Sequence, residues 1–387
     1  MAFWQRRVLL DRETVTPDST TRRLELPKTD FLSALEVRYR ADNATARNPN
    51  TIVGAVSRVE VIADGAKVLF SMRGEELVRH NWFMMRQHPA WQVSEDPGDD
   101  QWVHLIVPFG RMPYDPQLAL PLEAFTSVEL RVTVNPVIAA GGFVTGSGQL
   151  TVAAIMYREG APPGGHAGFL RTTEVFSFTS AGAGDRRVEL PRLFPYRHIM
   201  VTALNPGVED GVAITTVKLD LDTGTRVPIE GRWTDLQDEN SRLLGINCEA
   251  EQILFVAHGD TADLYATRIQ SVRAVAETGF VGVNTQLPVR QVSSVSGNRA
   301  TIAGAIVYDP AATATAINDT TARRTRAKAL GVSVPYAVLI PFDVGGDLSQ
   351  VLNPRDFSKV ELVLTQGGAN ADVRVILQEI VPSGQTV

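Results

Sequence analysis

Along much of the chain, apolar and polar residues alternate with a period of two, the mark of strands that bury one face. Ser127-Val128-Glu129-Leu130-Arg131-Val132-Thr133-Val134 follows this pattern strictly, and Asp356-Phe357-Ser358-Lys359-Val360-Glu361-Leu362-Val363-Leu364 repeats it. Val59-Glu60-Val61-Ile62 and Lys67-Val68-Leu69-Phe70 flank Ala63-Asp64-Gly65-Ala66, which reads as a hairpin closed by an Asp-Gly turn. Amphipathic helical stripes are scarce and short. Two brief helix candidates, Pro116 to Ala124 and Leu348 to Asn353, each precede one of the strictly alternating strands. The pattern predicts an all-β chain with few helices.

The chain also repeats itself. Arg22-Arg23-Leu24-Glu25-Leu26-Pro27 returns 164 residues later as Arg186-Arg187-Val188-Glu189-Leu190-Pro191, and the hairpin glycine Gly65 returns as Gly224. Leu105-Ile106-Val107-Pro108-Phe109-Gly110 matches Val338-Leu339-Ile340-Pro341-Phe342-Asp343, and Phe125 to Leu130 matches Phe357 to Leu362. Val152 through Glu159 resembles Val373 through Glu379. The matches keep their order, as a duplication requires. Their offset jumps by about 70 residues after the hairpin, which places an insertion near 245–330 in the second copy. Gly160-Ala161-Pro162-Pro163-Gly164-Gly165-His166-Ala167-Gly168 has linker chemistry. The expected division is 1–160, a linker at 161–168, and 169–387. Eight strand candidates in each copy suit a jelly roll, two Greek keys folded into a two-sheet sandwich.

This pattern resembles the double jelly-roll major capsid proteins of icosahedral double-stranded DNA viruses, the tectivirus, corticovirus and adenovirus hexon lineage. The paired Pro-Phe strands Val107-Pro108-Phe109 and Ile340-Pro341-Phe342 carry the likeness. So do the short helix candidates and the Val128-Glu129-Leu130 and Val360-Glu361-Leu362 strands that follow them. The resemblance implies two tandem eight-stranded jelly rolls with short helices and a tower-like insertion in the second. It also implies a homotrimer that presents six similar lobes as a pseudo-hexameric capsomer. The implied partners are copies of the chain, neighbouring capsomers, minor capsid and vertex proteins, and an internal membrane in some members. The implied location is the virion shell, after synthesis in a host cytoplasm.

Composition narrows the alternatives. At 387 residues, 44% hydrophobic and 21% charged, the chain belongs with folded globular proteins. With 37 basic and 43 acidic side chains the net charge is −6, which argues against sequence-specific nucleic-acid binding by the bulk surface. A single cysteine, Cys248, permits no internal disulfide. No apolar run is long enough to span a membrane as a helix, and Met1-Ala2-Phe3-Trp4-Gln5-Arg6-Arg7 lacks a signal-peptide core.

Catalytic signatures are missing as well. The histidines, His80, His88, His104, His166, His198 and His258, form no close metal-binding pair. There is no Gly-x-Ser-x-Gly elbow, and Gly141 to Gly148 lacks the lysine of a phosphate loop. The sequence therefore predicts a non-enzyme without cofactor or metal. A tandem jelly-roll amidase or glycosidase, or a carbohydrate-binding receptor or spike protein, stays open as the other reading. Trp82, Trp91 and Trp102 suit either sugar stacking or packing. Asp96 to Asp100 and Asp220 to Gly224 read as acidic turns, since neither has a calcium-loop spacing. The basic run Arg323 to Lys328 reads as a solvated face before a nucleic-acid contact. Asn43-Ala44-Thr45 and Asn318-Asp319-Thr320 match the glycosylation pattern. Finally, Phe3, Trp4, Arg6 and Arg7 are candidates for an inner, membrane-proximal face, with packing of the rings under the first strand as the plainer alternative.

Overall fold

A computed structural model describes residues 2–256, 261–276, 287–307 and 323–385. The first half contains β1 (Phe3–Thr14), β2 (Thr20–Glu25), β3 (Phe31–Asp42), α1 (Ile52–Ala55), β4 (Val56–Ala63), β5 (Lys67–Met72), α2 (Gly74–Met85), β6 (Trp91–Gln92), β7 (Asp100–Pro108), β8 (Leu120–Pro121), β9 (Val128–Val134) and β10 (Gln149–Arg158). These form two facing sheets, β1-β10-β3-β7-β6 and β2-β9-β4-β5, with β8 paired to β3. The second half begins with β11 (Gly168–Thr179), β12 (Gly184–Glu189), β13 (Tyr196–Leu204), β14 (Ile214–Leu221), β15 (Arg226–Arg232) and α3 (Trp233–Leu244). After an insertion it closes with β22 (Ala337–Pro341), β23 (Val360–Gln366) and β24 (Asp372–Pro382). Its strand orders are β11-β24-β13-β22 and β12-β23-β14-β15.

Among the eight long strands of each half, both sheets have one order: first, eighth, third, sixth, and second, seventh, fourth, fifth. That interleaving is the jelly roll, here made twice. The insertion adds β16 (Asn247–Val256), β17 (Thr261–Tyr265), β18 (Ser271–Ala276), β19 (Leu287–Ser296), β20 (Arg299–Val307) and β21 (Arg323–Val332), in sheets β16-β21-β18 and β17-β20-β19.

The sequence repeats coincide with equivalent hydrogen bonds. Leu26 N–H donates to the Val128 carbonyl at 2.8 Å, and Leu190 N–H to Val360 at 3.0 Å. The Phe109 N–H bonds to Ser33, and the Phe342 N–H to Arg197, both at 2.9 Å. At the hairpins, the Asp64 carboxylate accepts from the Thr126 N–H at 2.8 Å and Asp222 from the Ser358 N–H at 2.7 Å. Those bonds hold both carboxyls below the usual carboxylate range.

Helices depart most from expectation. Pro116 to Ala124 forms only a 3-10 turn at Leu122–Ala124, and the second candidate only one at Leu348–Gln350. Prolines at 116 and 121 withhold the N–H donors a longer helix needs. The two longer helices, α2 and α3, escaped the periodicity because their buried faces carry polar residues: Glu76, Arg79, His80 and Asn81 in α2, Gln237 and Asn240 in α3.

Candidate assembly surfaces

The two rolls meet where β5 pairs in parallel with β11, Thr172 opposite Phe70 and Thr173 opposite Ser71. This joins one sheet of the first roll to one of the second and points both rolls the same way. The insertion therefore rises from the end opposite Phe3. Beside the seam, α2 lies on the outward face of β11-β24-β13-β22. Met200, Leu339 and Ile376 of that face belong to the first roll's apolar cluster rather than to the second's.

Polar side chains complete the seam. His80 and His198 rings stand 5.3 Å apart, and Gln378 Nε2 lies 3.3 Å from His80 Nε2 and 2.9 Å from Thr172 Oγ1, to which it donates. Arg197 donates to Asp343 and Gln378, both at 2.6 Å. Burial, with Arg197 adding repulsion, lowers His80 to about 3 and puts His198 well below its ordinary value, so both rings are neutral.

The same surfaces recur uncovered. Asn81 Nδ2 donates to the Ile106 carbonyl at 2.7 Å and its Oδ1 accepts from the Ile106 N–H at 2.7 Å. Asn240 does likewise with Leu339, at 2.7 and 2.8 Å. This superposes α3 on α2. Glu76, Arg79, His80 and Phe83, buried in α2, then correspond to Asp235, Asp238, Glu239 and Arg242, all exposed on α3. The sheets show the converse. Met200, Leu339 and Ile376, covered in the second roll, correspond to Glu36, Ile106 and Ala153 in the first. There the face carries Arg6, Arg38, Arg40 and Val8, with Arg38 stacked 4.8 Å over Trp102. One half of the contact is thus bare on each roll: an acidic helix on the second, a basic sheet face on the first.

The residues singled out by sequence disperse. Trp4 packs edge-on against Tyr114 at 5.4 Å and Tyr157 at 4.9 Å, Arg6 donates to Glu36 at 2.7 Å, and Phe3 and Arg7 are exposed. The basic run is strand β21 rather than a loop or helix, with Arg326 exposed along it. Arg324 pairs with Asp99 at 2.8 Å, Arg326 with Glu251 at 2.6 Å, and Lys328 with Glu249. Arg324 thereby ties β21 to the Asp96–Asp100 turn. Trp82 and Trp91 bracket His88 with ring centroids 4.6 Å on either side, whereas Trp102 sits apart on the sheet face. Asn43 is buried and donates to Ser94 and Asp96, so its amide is closed to a glycan. His258 and Asn318 lie outside the described residues. Burial pushes the Cys248 thiol up to about 12. Among the described residues, no three of His, Cys, Asp and Glu converge as metal ligands.

No protein-family model matches the chain, and neither does any curated protein sequence. Solved structures match it end to end. The major capsid protein P2 of bacteriophage PM2 aligns over 99% of this chain and 100% of its own, at TM-score 0.53 and 11% identity. The major capsid protein of Sulfolobus turreted icosahedral virus aligns over 98% and 97%, at 0.57 and 12%. The PBCV-1 virus capsid aligns over 98% and 93%, at 0.54 and 9%. The chain has the double jelly-roll capsid fold. At these identities the likeness is one of architecture, and the double jelly roll is what sheet order and paired hydrogen bonds had already outlined.

Proposed function

We propose that this double jelly-roll chain is the major structural protein of an icosahedral virus shell and that it acts as a homotrimer. One observation carries the reading: each roll bears one bare half of the contact that already joins the two rolls. Placing α3 of one chain on the β1-β10-β3-β7 face of the next repeats the α2 contact between chains. Repetition of a head-to-tail contact closes into a ring when the rotation permits. Three chains then give six similar lobes, a tile suited to sixfold positions of a shell. Such a tile does not fit a fivefold vertex, so a different protein is needed there.

On this reading residues 1–160 and 169–387 are the two rolls, 161–168 the linker, and about 245–330 the outward tower. The end bearing Phe3, Trp4, Arg6 and Arg7 is the inner face. The role is structural, and the capsid proteins that share the fold support it over a glycan-active enzyme. Size-exclusion chromatography with light scattering tests it. Three chains of 42.1 kDa should elute as one species near ~126 kDa, with shells or sheets in electron micrographs. A monomer at all concentrations would sink the proposal.

A further inference from the structure

At the tower end, a cleft of about 530 Å³ opens between the rolls, walled by the first roll's helix and loops and by β16 and β17 of the insertion. Its size is that of a small-ligand site. Trp91 and Tyr265, both part-exposed, contribute aromatic surface. Gln252, half-buried on the same wall, has no partner for its amide among the described residues.

The charges in the cleft are already matched. Arg47 donates to Glu95 at 2.8 Å, Arg79 to Glu75 at 2.8 Å, Glu251 accepts from Arg326 at 2.6 Å, and Asp263 stands 3.9 Å from Arg299. With these groups paired, the cleft offers a charged ligand no unmatched counter-charge. A fatty chain would bury the Gln252 amide without a partner, at a cost. A pyranose avoids both penalties: its C–H face lies on an aromatic ring while its hydroxyls bond the Gln252 amide and donate to the outer lone pairs of the carboxylates.

We propose that this cleft binds a neutral saccharide. The site stands on the geometry of one chain and does not depend on the shell reading. In a shell it would open outward, where a sugar on a cell surface could reach it.

The test is tryptophan fluorescence of the intact protein titrated with lactose, N,N′-diacetylchitobiose and maltotriose, with 3′-sialyllactose and decanoate as the charged and fatty comparisons. At least one neutral sugar should give a saturable change with Kd on the order of 1 mM. Trp91→Ala should weaken it at least tenfold and Gln252→Ala several-fold, while Tyr114→Ala, exposed at the opposite end of the first roll, leaves it unchanged. Trp91 lies on a two-residue edge strand, and circular dichroism with light scattering checks that the variants fold and assemble as the parent does. No saturation by any neutral sugar about a hundredfold above that concentration overturns the proposal. So does binding of sialyllactose or decanoate alone, or sugar binding indifferent to both Trp91 and Gln252. Oligomeric state is read separately, so a failure here is distinct from a failure to assemble.

Discussion

At Asn240 one side-chain amide closes both polar groups of Leu339, a buried peptide unit at the base of the insertion. Truncation to alanine leaves a donor and an acceptor unpaired and removes a well-packed group. Asn240→Ala is expected to lower unfolding free energy by about 2–4 kcal/mol, read as a shift in urea midpoint. Asn81→Ala makes the same change at Ile106, which is half-buried and within reach of water. Its cost should be smaller, about 1 kcal/mol. Neither asparagine was visible in the sequence as functional, because a single polar residue on a helix face carries no periodic signal. The strand repeats were visible for the opposite reason: pairing and burial constrain every second residue, so Arg-Arg-x-Glu-Leu-Pro and Pro-Phe survive in both copies.

Strands were therefore legible as elements, and α2 was not. Its outward stripe of Glu76, Arg79, His80 and Phe83 is buried against a second roll that no local pattern announces. The seam it forms has a pH signature. In the unfolded chain His80 titrates near ~6.5; in the fold desolvation lowers it to about 3, so the unfolded state binds more protons between those values. Its contribution to stability is complete above pH 6.5 and declines as pH falls toward 3. From pH 6.5 to 5 that is about 2 kcal/mol for this one ring. Glu379, pushed up to about 7 by burial, and Asp210, also raised by burial, act in the opposite sense. The informative measurement is thus a difference. Between pH 7 and 5, His80→Gln should lose about 2 kcal/mol less stability than the wild type in urea titrations. Equal losses would mean the ring is already charged or hydrated in the fold.

At the scale of the whole molecule, net charge conceals a separation. The chain carries −6 overall, yet α3 presents Asp235, Asp238 and Glu239 while the bare sheet face presents Arg6, Arg38 and Arg40. Arg6 is tied to Glu36, Arg40 to Asp42 and Asp100, and Asp238 to Arg268, whereas Asp235, Glu239 and Arg38 have no ion-pair partner among the described residues. Those three are the groups left over for a neighbouring chain. Complementary patches steer encounter and fix which surfaces meet, and juxtaposed like charges cost several kcal/mol. Asp235→Lys with Glu239→Lys should convert the proposed trimer into a monomer near 42.1 kDa by light scattering, with circular dichroism unchanged. Arg38→Glu should do the same. The combination of all three restores opposite signs across the interface and should restore the trimer. That rescue separates a charge-matched interface from general surface damage. Because α3 is the one helix whose equivalent, α2, is already engaged inside the chain, a failed rescue would mean that chains do not meet as the rolls do.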